Sequence, residues 1–146
     1  MPNYFALEDA IKQRLTGIDG IVDIYTPFSV EDMLQGNIVS PSLSIIYVDD
    51  RVSDSAGNGK ASAVYQQWLV VLCVSEAGSQ LEDTSQIRRD ASPYIAEILK
   101  RLQGFDPEIQ GFRPLKRATA GVSPMSSSTL QWFPFLFESQ LLGNYT

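Results

Sequence analysis

The chain has 146 residues, a length suited to one domain whose core needs no disulfide or metal to hold it. Hydrophobic residues make up 44% and charged residues 19%, a balance that excludes a disordered or fibrous chain. The net charge is −6 and histidine is absent, which removes the drive toward nucleic acid from counterion release along with the usual general base and zinc ligand.

Asn3 can cap a first helix over about 4–16, in which Tyr4, Leu7, Ile11 and Leu15 share one face and Gly17 ends the run. "IVDIYTP" (21–27) has the β-branched and aromatic texture of a short strand. Ser29 and Asp32 form a capping pair ahead of a single helical turn. "SPSLSIIYVDDRV" alternates as a strand with one buried and one partly covered face, and the polar tract 50–62 follows it. The unbroken apolar run Trp68 to Val74 marks a central strand covered on both sides.

A second helix starts at Asp83 or Thr84, carries Ile87, Ala91, Tyr94, Ile95, Ile98, Leu99 and Leu102 on its apolar face, and stops at Gly104. Pro93 either kinks it or opens a new helix capped by Ser92. "GFRPLKRA" (111–118) suits an edge strand because Pro114 is tolerated there, "SPMSSS" (123–128) a turn or loop, and "TLQWFPFLFESQLLG" (129–143) a long strand. Alternation along it is expected to send two of Trp132, Phe133, Phe135 and Phe137 to each face. The expected fold is α+β: a single mixed, mainly antiparallel sheet covered by two helices, with a protruding hairpin arm at 50–62. With no internal repeat and no composition break, residues 1–146 read as one domain.

The stretch "DSAGNGKASA" (54–63) imitates a phosphate loop, but Gly59-Lys60 would need glycine at 54 and a hydroxyl at 61, where Asp54 and Ala61 stand. The dinucleotide pattern fails as well, with Ser62 in place of its third glycine and a strand instead of a helix to follow. Asp49, Asp50 and Asp54 offer oxygen ligands for a divalent cation, yet neighbours on a strand diverge and no calcium-loop spacing occurs. No cofactor or metal is expected. Cys73, the lone cysteine, lies in the apolar run and reads as a buried, inert thiol.

The charge is unevenly spread. Residues 1–54 hold nine acids and three bases, whereas 55–146 hold eight of each. Seven of the eleven bases lie between 88 and 117, interleaved with Asp90, Glu97, Asp106 and Glu108 and without alternating aromatics, so they read as a solvated helix face and a charged edge strand. A basic surface meeting the acidic first third of a neighbouring copy is a further reading. No stretch reaches the roughly 18 apolar residues of a membrane span, and the first five residues lack an export signal, so a cytosolic product is expected.

The helix "ALEDAIKQRLTGIDGIVDIYT", the strand "SPSLSIIYVDD", the polar arm, "YQQWLVVLCV", the helix "YIAEILKRLQGF" and "QWFPFLFESQL" together resemble a tail terminator of tailed bacteriophages, most nearly the Mu-like group of small tail proteins. The resemblance covers about Tyr4 to Leu142 and implies a structural protein without catalysis. It implies a ring, commonly of six subunits, that binds the last ring of the tail tube, ends tube growth and offers a docking surface to the head connector. The implied partners are further copies of the chain, the tube protein and connector proteins. DNA would pass through the ring without specific binding, and no membrane is involved. The protein would work in the bacterial host cytoplasm during assembly and then in the virion tail, and a monomer in solution is compatible with this. On that reading the candidate subunit or tube contacts are Asp49, Asp50, Arg51, Asp54, Asn58 and Lys60 in the arm, with Arg113, Lys116 and Arg117. Another neck component, a tail assembly chaperone, and a ligand-binding or enzymatic domain with a deep polar pocket are the alternatives.

Overall fold

The computed structural model describes residues 3–56, 61–75, 84–127 and 129–144. Its centre is β3 (Ala61–Ser75), flanked along its whole length by two other fifteen-residue strands, β2 (Ser42–Ala56) and β6 (Leu130–Asn144), both antiparallel to it. Leu69 to Val74 are all buried, because a strand with neighbours on both edges and layers on both faces can place a large apolar side chain at every position. β1 (Asp23–Tyr25) joins β2 in parallel, and β4 (Lys116–Ala118) and β5 (Met125–Ser127) share the outer edge of β6. The order across the sheet is β1-β2-β3-β6-β4, with β5 beside β4's end of the path.

One face is covered by α1 (Ala6–Leu15) and α3 (Ser85–Leu102), whose Leu7, Ile11, Leu15, Ile87, Ala91, Ile98 and Leu102 meet Leu43, Ile45, Trp68, Val70, Leu72 and Phe137. The helical periods of the sequence therefore mark the core stripe correctly. Asn3 caps the turn ahead of α1, its side chain accepting from Phe5 N at 3.0 Å, so the regular helix begins two residues later than the periodicity suggests. Gly17 takes φ +92 just past its end, a conformation costly for any residue with a Cβ. The C-terminal ends of the two helices are tied reciprocally: Arg14 Nε donates to the Arg101 carbonyl at 2.9 Å, and Arg101 donates to the carbonyls of Arg14 and Thr16.

Several expectations need correction. A third helix, α2 (Val30–Gln35), is longer than one turn and covers the opposite sheet face, burying Met33 against Ile46, Leu69, Val71, Cys73, Trp132 and Leu136. Both faces of the first half of β2 are consequently closed: Ser42, Ser44 and Ile46 are as buried as Leu43 and Ile45. Ser29 caps α2 as expected, accepting from Asp32 N at 3.1 Å. α3 runs without a break through Pro93, which stands exposed on its outer side, as does Arg89, so the carbonyl lacking a donor faces water. "SPMSSS" is not wholly a loop, because Met125 to Ser127 pair with Trp132 to Leu130; a three-residue serine-rich edge has no alternation to reveal it. The four aromatics of β6 divide three to one, since Phe133, Phe135 and Phe137 share the α1 and α3 face and Trp132 alone faces α2.

Pro134 shows how the outer edge of β6 is organised. Leu142 N donates to Gly111 O and Gln140 O accepts from Arg113 N, so the even positions of this unkinked strand turn their backbone groups outward. The Pro134 nitrogen, having no hydrogen, thus points to the gap between the stretches covered by β5 and β4, where no strand pairs with it.

Cys73 is buried, and burial pushes its thiol up to about 11. The folded protein should therefore resist a water-soluble disulfide reagent at neutral pH and react with one equivalent after unfolding; fast labelling of the native state would contradict this placement.

Candidate protein interaction surface

The hairpin of β2 and β3 stays paired out to Ala56 opposite Ala61, with β6 following alongside to Asn144. The described part of the polar tract 50–62 is thus ladder. Asn58 and Lys60 lie outside the described residues, as does the side chain of Asp54, whose backbone pairs with Ala63. Two bulges, at Val48 and Ser53, interrupt the β2 ladder; bulges of this kind blunt an open edge against unwanted pairing.

The acids at the arm's root have different fates. Asp49 pairs with Gln67 and is exposed on the α2 side, while Asp50 pairs with Gln66 and turns toward α1. The Asp50 carboxylate accepts from the Tyr47 hydroxyl at 2.9 Å and from that of Tyr4. Burial, the Asp50 hydrogen bond and the charges of Asp50 and Asp49 push the Tyr47 phenol up to about 12. Below this cluster, fully buried Gln66 donates to the Tyr4 carbonyl at 2.9 Å and accepts from Trp68 Nε1 at 2.8 Å. Asp50 is therefore a structural anchor between α1 and the arm. Among the described residues no group of three acids, cysteines or histidines gathers as a metal site would require.

Arg51 faces the other way. Its guanidinium lies 3.4 Å from Glu138 and 4.3 Å from the centre of the Tyr65 ring, which Lys116 also approaches at 4.6 Å. Glu138 is nearly buried and also accepts from Gln67 at 2.9 Å. Burial pushes its carboxyl up, but the hydrogen bonds from Gln67 and Arg51 and the charges of Arg51 and Lys116 outweigh this and hold it below 4.5. A carboxyl held low stabilises the fold above its ordinary range, and that contribution disappears as pH falls through the lowered value. We expect acid to destabilise Glu138→Gln less than the parent as pH falls from neutral through and below 4.5, read from urea midpoints; equal losses would contradict the pairing.

Six of the bases between 88 and 117 fall into two groups. On α3, Arg88 donates to Thr84, Arg89 to Gln86, and Arg101 to Glu97 at 2.9 Å, the solvated-face pattern that the sequence suggested. Arg113, Lys116 and Arg117 stand apart on the outer edge, all exposed, with Arg117 lying 5.3 Å over the Phe135 ring. Beside them is a groove of about 430 Å³ lined by Ala118, Ala120, Pro134 and Leu136. A second groove, about 570 Å³, lies on the α2 side between Val30, Ile46, Val48, Leu69, Val122 and Leu136, and no titratable side chain lines it.

Sequence reasoning missed Tyr4, Tyr47, Tyr65 and Glu138 as parts of the arm's root, and Phe28 as the most exposed large apolar side chain among the described residues, at 90%. A signal existed for Glu138: the polar pair Glu138-Ser139 inside "FLFESQLL" stands opposite the polar pair Gln67 and Gln66.

The fold is thus a sheet with helices on both faces and an extended three-stranded end. The same fold occurs in a chain of the solved virion of a native gene transfer agent particle, at TM-score 0.63 and 15% identity, with 95% of this chain and 96% of that chain covered. No curated protein matches the sequence. The family model for phage tail terminator proteins matches residues 1–144, and the chain belongs to that family. Its role is accordingly structural, as a phage tail component. The match is to terminators as a whole and does not single out the Mu-like group.

Proposed function

We propose that residues 1–146 act as one terminator domain that assembles into a ring, six subunits in the reading drawn from the family, on the last ring of the tail tube. The ring ends tube polymerisation, presents its other side to the head connector and lets DNA pass without specific binding. Its assembly takes place in the host cytoplasm, no cofactor takes part and no reaction is catalysed. The observation that carries this is the arm: the β2 and β3 ladder continues past Val52, which is 66% exposed, although the apolar core ends near Val64. A strand pair extended beyond its own core stabilises little by itself, and it supports a subunit built to reach another molecule. Asp49, Arg51, Asp54, Asn58 and Lys60 are the arm contacts of this proposal, with Asp50 fixing the arm's direction from beneath.

The test is arrest of growth. Purified protein added to polymerising tube subunits should stop elongation at substoichiometric amounts, and tubes that keep lengthening at their uninhibited rate would remove the function.

A further inference from the structure

β2 has a long open side. β1 pairs with it only at Ser42 to Ser44, and among the described residues no strand lies outside Ile45 to Ala56. The opposite side of the arm is closed, since Leu142 N donates to Gly111 O and Arg113 N to Gln140 O. Those two bonds also fix which groups of β2 are free. With the even positions of β6 turned outward, Leu141 and Ser139 exchange bonds with Val64 and Gln66, and Tyr65 and Gln67 in turn bond to Arg51 and Asp49. Asp50 and Val52 are left with their backbone groups facing away from the sheet. A free edge of this kind is a template for another strand, and the same edge on a second copy of the chain is a ready source of one.

Three features spoil the template. One extra residue at Val48 and another at Ser53 leave only Asp49 to Val52 regular between them, short of the about five or six residues of an ordinary strand. The Ser53 hydroxyl donates to the Ala63 carbonyl at 3.2 Å, which pins the second bulge. Between the bulges, the Asp49 carboxylate accepts from Asp50 N at 2.8 Å. That bond occupies an outward N–H that an incoming strand would need, and it sets a negative charge in the newcomer's path. The regular stretch has only Val52 N, Val52 O and Asp50 O left to offer.

We infer that the Asp49 contact and the two bulges form an autoinhibitory guard, which closes the arm's free edge to the arm of a second copy. The extended ribbon stays unpaired in the free chain, and its faces remain available to the partner it is built to reach. The guard is a property of the free subunit and does not depend on the ring reading, because a ring assembled through other surfaces leaves it intact.

Two measurements on the full chain test it. The first is amide hydrogen exchange, read by NMR under native conditions. The Asp50 amide should exchange about tenfold or more faster in Asp49→Ala than in the parent, the effect of losing a charge-assisted hydrogen bond. Asp49→Asn loses the same charge but keeps the acceptor, and it should retain most of the protection. Equal exchange at Asp50 in the parent and Asp49→Ala, or an Asp49→Asn chain as fast as Asp49→Ala, would overturn the guard.

The second measurement opens the edge. Asp49→Ala combined with deletion of Ser53 removes the contact and makes the ladder regular from Asp49 to Ala56. Sedimentation should show this chain associating about tenfold or more tightly than the parent, as backbone bonds form between copies. Adding Val52→Pro should return association to the parental level, because it deletes an outward N–H that β3 does not use. Thermal melts verify folding; should a variant not fold, the exchange measurement decides, since it needs only exposed point substitutions. A folded, opened chain that associates no more than the parent, or association that survives the proline, would overturn the inference. So would a parent whose own association is weakened by Val52→Pro, since its edge would then already be in use.

Discussion

Trp68→Ala should lower the stability of the free subunit by about 3–5 kcal/mol, the range for removing a large aromatic from a packed core. The side chain is fully buried at the centre of the sheet, packed edge-on against Tyr47 at 5.4 Å and Phe5 at 6.5 Å. Its Nε1 is also the donor to Gln66, whose other end holds the Tyr4 carbonyl at the start of α1. Truncation therefore opens a cavity and orphans a buried acceptor, and the second effect pushes the loss toward the upper end. Against the roughly 5–15 kcal/mol of an ordinary domain, this is a large share of the whole. Urea unfolding measures it directly. A loss of no more than about 1 kcal/mol would mean that Trp68 is not the keystone between α1 and the sheet.

Deletion of Ser53 to Lys60 should have the opposite profile: melting close to that of the parent, and tube capping lost. Val52 and Val64 face each other in the hairpin, so the deletion leaves Ala61 to Ala63 as a three-residue connection of ordinary hairpin length. Nothing in the apolar core is removed, because Val64 is the first core residue of β3. The Asp50 contacts with Tyr4 and Tyr47 and the Arg51 pair with Glu138 also lie on the retained side. Thermal melts and the elongation assay, run together, separate the two effects. An unfolded deletion variant would show that the arm belongs to the core, and a folded variant that still caps tubes would show that the arm is dispensable.

Much of the fold was legible because its strongest signals are periodic. The stripe of Leu7, Ile11 and Leu15, that of Ile87, Ala91, Ile98 and Leu102, and the two-faced run Trp68 to Val74 each state their own burial. The pair Ser29 and Asp32 even marked the start of α2, although a helix of six residues is too short for its apolar side to declare which layer it covers. β5 gave no signal, since three residues at an edge need neither alternation nor bulk. The root of the arm was hidden for another reason. Tyr4 and Asp50 lie 46 residues apart, and Arg51 and Glu138 lie 87 apart, so their partnerships exist only once the register of β2, β3 and β6 is set. The basic character of Arg113, Lys116 and Arg117 was visible, but not that β4 would sit at the far end of the sheet from β1, because chain order does not dictate strand order.

Tail length in particles assembled without this protein tests the terminator reading most directly. Electron microscopy of such particles should show tubes of uncontrolled, broadly distributed length with no heads joined to them. Tails of uniform normal length beside unattached filled heads would instead assign the chain to a later joining step and contradict its role in stopping the tube.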